Sequence, residues 1–191
     1  GKDTDFSSYT IVADGGNGAA GAFMEKLSKK AGFQLIPLYL DPDGNFPNHH
    51  PNPMLEANRL DAQKVLIEQH ADLAFIFDGD ADRVMMLDDM GHLMTSGVIS
   101  SIIATELVQK FPGSGYIGNA VSSHIFHDTV TSLGGFYEKE MVGHVYIREH
   151  MMKNPQIVYA GEHSAHYFFR DNYYMDSGIM AAMVVLATLA K

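Results

Sequence analysis

Strand and helix signals alternate along nearly the whole chain, and this alternation constrains the fold more than any other feature. Short apolar or β-branched runs predict strands, and longer stretches bounded by Gly or Pro predict helices. Strands of this kind alternating with helices form βαβ units around a mainly parallel sheet. Strands are predicted at residues 9–13, 34–40, 73–77, 84–88, 116–121, 135–138 and 157–160, and helices at 20–31, 55–69, 96–111, 123–133, 145–152 and 178–190.

A second set of elements begins after Gly91. With 191 residues the chain has room for one large or two small domains. We predict two small three-layer α/β domains, residues 1–92 and 93–191, each with a mixed, mainly parallel sheet and flanking helices. The apolar helix predicted at 178–190 runs up to the last residue without a capping signal. We therefore expect the chain to be a piece of a longer protein, truncated within its second domain.

Composition excludes several classes of function. Thirteen Lys and Arg against 23 Asp and Glu give a net charge of -10, which argues against nucleic acid as a partner. The longest apolar run, Ile179 to Ala190, is too short to cross a bilayer. Residues 1–8 are polar and acidic, unlike a secretory signal. The absence of Cys excludes a disulfide scaffold and a Cys nucleophile. It also fits a reducing compartment, so we expect a soluble cytoplasmic protein with no membrane partner.

An acidic loop follows the most apolar predicted strand. Residues 78–83 read DGDADR directly after Leu73–Phe77, a run whose continuous apolar character predicts a strand buried on both faces. Acids at alternate positions of an extended or looping chain point the same way. Three neighbouring carboxylates repel one another unless a cation lies among them, and oxygen ligands favour Mg²⁺ or Ca²⁺. We predict a divalent metal site formed by Asp78, Asp80 and Asp82, at the strand end where α/β sheets bind ligands.

Two other interpretations of the acidic loop compete. An EF-hand loop needs Gly at its sixth position and Glu at its twelfth, but Arg83 and Asp89 stand there. A haloacid-dehalogenase-like phosphatase would use Asp78 as its nucleophile. That pattern has Thr or Val at its fifth position, where this chain has Asp82. The phosphatase stays open as an alternative.

A glycine-rich turn follows the first predicted strand. Gly16 to Gly21 match G-x-G-x-x-G, and Asp41 lies twenty residues further on, the spacing of a dinucleotide-binding unit. A tight strand-to-helix turn needs the same small residues. A non-catalytic dinucleotide-binding module is therefore the third hypothesis.

A polar loop follows the predicted strand 157–160. Glu162, Ser164 and His166 place an acid, a hydroxyl and an imidazole at alternate positions. Together they can bind the neighbouring hydroxyls of a sugar, and His can transfer a proton near neutral pH. We predict a sugar-binding loop here.

Several segments together resemble the α-D-phosphohexomutase superfamily, in particular bacterial phosphomannomutase/phosphoglucomutase. They occur in the family's order over nearly the whole chain, at residues 12–21, 43–53 (DGNFPNHHPNP), 78–83, 142–144 (VGH) and 161–166 (GEHSAH). The resemblance implies a four-domain enzyme of which residues 1–92 are the second domain and 93–191 most of the third. The family's T-A-S-H-N-P-like phosphoserine loop and R-x-S-G-T-E-like phosphate loop, carried by the first and fourth domains, are absent from this sequence.

The resemblance also implies an activity. Such enzymes interconvert hexose 1-phosphate and hexose 6-phosphate through a bisphosphate intermediate and an enzyme phosphoserine, which here would lie outside the chain. Mg²⁺ held by the three acids would bind a phosphate oxygen, and Arg83 would bind the same phosphoryl group. Glu162 and Ser164 would bind the 3- and 4-hydroxyls of mannose or glucose 1- and 6-phosphates, with His144 and His166 as further sugar contacts. His166 would also transfer the proton of the attacking hydroxyl. We expect the chain to be inactive without its flanking domains.

Overall fold

The computed structural model describes residues 4–191, so the first three residues of the polar N-terminal stretch lie outside the described range. These residues form two compact units. The first runs to Met94 and also includes Leu189–Lys191, and the second comprises Thr95–Thr188. Each unit contains one five-stranded sheet.

The sheet of the first unit has three parallel strands followed by two antiparallel ones. The strands are β1 (Thr10–Asp14), β2 (Gln34–Leu38), β3 (Leu73–Phe77), β4 (Val84–Leu87) and β5 (Leu93–Met94). Their order in the sheet is β2-β1-β3-β4-β5. Val12 in β1 lies opposite Ile36 on one side and Ala74 on the other.

Two helices flank this sheet. Helix α1 (Ala20–Ala31) packs against β1 and β2, and α2 (Leu60–Gln69) packs against β1 and β3. Helix α1 ends at Gly32, whose φ of 96° is left-handed and whose N–H bonds to the Ser28 carbonyl. All five residues of β3 are buried, as its continuous apolar run predicts. The core joins side chains of the helix and the strands: Val12, Ala62, Leu66, Ala71, Ala74, Ile76 and Leu87.

The second unit repeats this strand order. Its elements are α3 (Ser96–Lys110), β6 (Gly115–Asn119), α4 (His124–Ser132), β7 (Phe136–Glu140), α5 (His144–Lys153), β8 (Ile157–Gly161), β9 (Tyr167–Phe169), β10 (Met175–Asp176) and α6 (Gly178–Leu189). The strand order in its sheet is β10-β9-β8-β6-β7, in which β7, β6 and β8 are parallel and β9 and β10 are antiparallel at the other edge. Its core contains Ile117, Ile147, Met151, Ile157, Ala160 and Phe168.

The shared topology gives the two polar loops corresponding places. Residues 78–83 connect β3 to β4, and residues 162–166 connect β8 to β9. Each loop therefore leaves the carboxyl end of the third strand of its unit and returns antiparallel. Each loop therefore lies at the carboxyl-terminal end of the parallel strands of its own sheet, where α/β proteins bind their ligands.

The predicted α/β class, with mixed sheets and flanking helices, is confirmed. Three short strands were not predicted: Leu93–Met94, Tyr167–Phe169 and Met175–Asp176. The predicted helix 55–69 begins as a 3-10 helix at Glu56–Arg59. The strand predicted at 116–121 ends at Asn119, because the Ser122 N–H bonds to the Asn119 carbonyl and turns the chain. Among residues 4–191, every helix is too short or too polar to cross a membrane.

Candidate functional site

The acidic loop after β3 brings its three carboxyl groups together. One oxygen from each of Asp78, Asp80 and Asp82 lies within 4.8 Å of the other two. Asp78 is buried at the end of the strand, Asp82 is half-buried and Asp80 is exposed. The three side chains thus form a cluster of oxygen donors that is buried at Asp78 and accessible to solvent at Asp80. An oxygen-only donor set of this kind fits a hard divalent cation such as Mg²⁺, which can keep water or phosphate oxygens as its remaining ligands.

The backbone of the acidic loop follows the looping alternative of the predicted extended or looping path. It turns at Ala81, whose φ of 64° is left-handed. That conformation costs a non-Gly residue about 1–2 kcal/mol. The Ala81 side chain is buried, which helps to offset the cost. This left-handed turn therefore brings the three carboxylates close together.

Arg83 binds the deepest of the three acids. Its main-chain N–H donates to Asp78 Oδ1 at 3.1 Å, and its side-chain Nε donates to Asp78 Oδ2 at 2.7 Å. The guanidinium supplies the positive charge that a buried carboxylate requires. Each oxygen keeps a second lone pair for a cation. The planar guanidinium also carries further N–H donors, which are suited to phosphate oxygens.

The glycine turn of residues 15–18 packs against the acidic loop. The Ala19 N–H donates to the Gly79 carbonyl at 2.9 Å. A Cβ on Gly18 would lie 2.4 Å from the Gly79 oxygen. The turn is therefore packed against protein backbone, where a dinucleotide-binding turn would approach a pyrophosphate. The Asp41 carbonyl accepts a bond from the Asn17 side chain, so this region braces the turn.

The polar loop after β8 is organised around the buried carboxylate of Glu162. Glu162 Oε1 accepts hydrogen bonds from Asn119 Nδ2 at 3.3 Å and from the Gly143 N–H at 3.1 Å. Its Oε2 lies 3.6 Å from His166 Nδ1, and the same ring nitrogen lies 2.9 Å from Ser164 Oγ. Glu162, Ser164 and His166 therefore form one connected polar cluster.

The polar loop is a tight turn. The Glu162 N–H donates to the His166 carbonyl, and the Ala165 N–H donates to the Glu162 carbonyl. Ala165 is left-handed, with a φ of 69°. His163 is exposed, and its carbonyl accepts a bond from Ser96 Oγ. This backbone holds Ser164 and His166 beside Glu162.

His144 is placed differently from the other predicted sugar contacts. It is the first residue of α5, and its side chain is exposed. It follows Gly143, which has a φ of 135° and bonds to Glu162. The structure therefore ties the backbone next to His144 to the polar cluster.

Two supporting groups were missed by sequence reasoning. Asn119 is the last residue of β6 and bonds to Glu162. In the first unit, the last residue of β1, Asp14, is fully buried and bonds to His49. A buried polar residue at the carboxyl end of a central strand was the available signal.

Comparison with known proteins supports both units. Residues 3–91 match the family model of phosphoglucomutase/phosphomannomutase, alpha/beta/alpha domain II, and residues 96–191 match that of domain III. A phosphomannomutase of Escherichia coli K12 is 37% identical over 180 residues, covering 92% of this chain and 39% of that protein. The chain thus spans about two fifths of the length of the curated relatives it matches.

Solved structures agree on the fold. A phosphoglucomutase/phosphomannomutase family protein of Burkholderia thailandensis matches with a TM-score of 0.92 and 31% identity, covering 99% of this chain and 42% of that one. An N-acetylphosphoglucosamine mutase of Aspergillus fumigatus, solved with GlcNAc-6P and magnesium, matches with a TM-score of 0.60 and 17% identity. It covers 96% of this chain and 42% of that one, and at this identity the likeness concerns the fold alone.

Proposed function

We propose that this chain, which belongs to the phosphoglucomutase/phosphomannomutase family, forms the metal-binding and sugar-binding part of a phosphohexomutase. The complete enzyme would interconvert hexose 1-phosphate and hexose 6-phosphate of mannose or glucose. The reaction would pass through a hexose bisphosphate and a phosphoserine outside this chain. The observation that carries the proposal is the convergence of Asp78, Asp80 and Asp82 at the end of a buried strand.

The acidic loop is the proposed Mg²⁺ site. Asp78, Asp80 and Asp82 would hold the ion, and its chemistry would be to bind a phosphate oxygen and offset negative charge during phosphoryl transfer. The oxygen-only donor set supports Mg²⁺ over softer metals. Arg83 would orient the same phosphoryl group through its guanidinium. Local positive charge of this kind is needed because the chain has a net charge of -10 and its substrate is an anion.

The polar loop is the proposed sugar site. Glu162 would accept hydrogen bonds from the 3- and 4-hydroxyls of the hexose, and Ser164 would donate to them or accept from them. The same hydroxyls would be bound in both half-reactions, because they stay in place whichever phosphate of the bisphosphate faces the serine. His166 would take the proton of the attacking hydroxyl, and its contacts with Ser164 and Glu162 hold the ring for that task. His144 would be a further sugar contact.

The two alternatives are less well supported. A phosphatase would need Asp78 as a nucleophile, but both Asp78 oxygens accept hydrogen bonds from Arg83, which lowers their reactivity. A dinucleotide-binding module would need space at the glycine turn, where Gly18 is packed against Gly79. The family matches do not favour either one.

We also propose how the chain relates to the whole enzyme. Residues 1–92 would be its second domain and residues 93–191 most of its third. The phosphoserine and the distal phosphate loop would lie in the flanking domains, so the chain alone would be inactive. A cytoplasmic location fits the absence of Cys.

Titration of the isotope-labelled chain tests the two sites separately. Mg²⁺ is expected to shift the amide signals of residues 78–83, and glucose 1,6-bisphosphate those of residues 162–166. The Asp89→Asn variant lacks an exposed acid outside the cluster. The same signal shifts in this variant would show that they do not arise from surface negative charge in general. Unchanged signals at 78–83 would contradict the metal site. Mutase turnover by the chain itself would contradict the expected inactivity, and a metal-fluoride adduct on Asp78 would favour the phosphatase.

A further inference from the structure

We propose that His49 is a positioning residue for the acidic loop, acting through the segment of residues 46–51, here called the strap. This inference rests on the proposed metal site. The strap belongs to the long irregular connection between β2 and α2, and its middle is fastened to the end of β1. Its two ends, Phe46 and Pro51, border the space beside Gly79, which lies between the first two acids of the proposed metal site.

The contact between His49 and Asp14 attaches the strap to the end of β1. His49 Nε2 lies 3.2 Å from Asp14 Oδ1 and 3.1 Å from Asp14 Oδ2. Asp14 is fully buried, and its Oδ1 also accepts the Gly16 N–H at 2.8 Å. A buried carboxylate is costly unless it is paired. His49 supplies that pairing from the strap.

The orientation of the His49 ring is fixed on its other sides. Its Nδ1 lies 3.0 Å from the His50 carbonyl, within the strap. The Tyr39 ring packs against it in a T-shaped arrangement, with 5.5 Å between the ring centroids. Tyr39 is itself held by a 2.8 Å hydrogen bond from its hydroxyl to Asp61. The ring therefore has one defined position.

The ends of the strap reach the acidic loop. The space beside the Gly79 α-carbon is bounded by Pro51 Cγ and by the Phe46 ring, 3.6 and 3.8 Å from the position that a Cβ would take. The Gly79 carbonyl accepts a hydrogen bond from the Ala19 N–H of the helix start that follows the glycine turn. Gly79 is thus enclosed between the turn and the strap.

A second contact joins the strap to the glycine turn. Asn48 Nδ2 donates to Asn17 Oδ1 at 2.8 Å. Asn17 and Phe46 both have left-handed backbones, with φ of 58° and 48°, and such conformations persist only where the surrounding contacts hold them. The His49–Asp14 pair is the most buried of these contacts. Its loss would release the strap and allow the acidic loop to lose its preformed shape, which metal binding would then have to restore.

Mg²⁺ titration of the whole chain tests the strap. His49→Ala is expected to weaken Mg²⁺ binding by about three- to tenfold and to shift the Gly79 amide signal in the metal-free chain. His50→Ala, the same change at the neighbouring exposed residue, is expected to alter neither. His49→Gln is expected to recover part of the affinity, because its side-chain amide can donate to Asp14.

Three outcomes decide between the proposals. If the wild-type chain does not bind Mg²⁺, the metal site fails and the strap proposal fails with it. If the wild type binds and a folded His49→Ala chain binds equally well, only the strap proposal is overturned. If His49→Ala does not fold, the double variant Phe46→Ala/Pro51→Ala removes both strap side chains that border Gly79 and leaves the His49–Asp14 pair. Unchanged Mg²⁺ affinity in that variant would also overturn the proposal.

Discussion

Asp78 and Glu162 occupy the same position in the two units: each is the first residue after the third strand, and each is only 3% exposed. Three residues further on, both loops turn through a left-handed alanine, Ala81 in one and Ala165 in the other. The shared strand order therefore produces the same local arrangement in both units, with a buried carboxylate at the carboxyl end of a strand.

The neighbours of each carboxylate set its chemistry. Asp78 has a guanidinium beside it and two further acids in its loop, which suits a cation and a phosphoryl group. Glu162 accepts from the neutral donors Asn119 and Gly143 and lies beside a histidine. That setting suits uncharged hydroxyls. Under the proposed function, the same backbone arrangement would bind a phosphoryl group in one unit and sugar hydroxyls in the other.

Asp80→Asn is expected to weaken Mg²⁺ binding about tenfold, because one charged ligand of three is lost. Asp80 is exposed, so the free energy of unfolding without metal should stay within about 0.5 kcal/mol of wild type. Calorimetric titration measures the affinity, and Asp89→Asn is the matched loss of an acid outside the cluster. Equal affinity in Asp80→Asn and wild type would contradict the ligand set.

Glu162→Ala is expected to lower the free energy of unfolding by about 1–3 kcal/mol, because it leaves the buried Asn119 amide and the Gly143 N–H without their acceptor. Glu162→Gln keeps an oxygen for those two donors and should cost less. Urea denaturation measures both variants. Glu149→Ala, which removes an acid in an exposed pair with Lys153, is expected to change stability by less than about 1 kcal/mol. A Glu162→Ala effect no larger than this control would show that the two hydrogen bonds contribute little.

The sequence was informative where the signal is local. The apolar run Leu73–Phe77 predicted its strand because both faces of β3 are buried. Gly32 predicted the end of α1 because a left-handed residue closes that helix. The acidic loop was recognisable as a candidate metal site because three acids alternate directly after a buried strand, and the folded chain brings one oxygen of each within 4.8 Å of the others.

Other features depend on contacts that no local pattern contains. The strands Leu93–Met94 and Met175–Asp176 have two residues each, too few for a periodic signal. His49 and Asp14 are 35 positions apart, so only the folded chain brings them together. The sequence predicted that the three acids converge on an extended or looping backbone, and only the structure shows the left-handed turn at Ala81.

Gly18→Ala is expected to destabilise the chain by about 1–3 kcal/mol, because its Cβ would overlap the Gly79 carbonyl oxygen at 2.4 Å. The shift of backbone needed to relieve the overlap should also weaken Mg²⁺ binding. Gly44→Ala is the control, since a Cβ there meets nothing within 4 Å. Urea denaturation and Mg²⁺ titration measure the two effects. Equal stability of the two variants would contradict the close packing of the turn against the acidic loop.

The stability contributed by His49 is expected to depend on pH. The hydrogen bond to Asp14 raises the pKa of His49 above its ordinary value, so the folded chain holds that proton more tightly than the unfolded chain does. The resulting stabilisation is fully present below the unfolded pKa of about 6.5 and is lost as the pH rises through the higher folded pKa. The difference in free energy of unfolding between wild type and His49→Gln should therefore be larger at about pH 5.5 than at about pH 9. Urea denaturation across this range measures it, and the same comparison in an Asp14→Asn background should lose most of its pH dependence. A difference that stays constant with pH in both backgrounds would mean that the pair contributes no proton-linked stability.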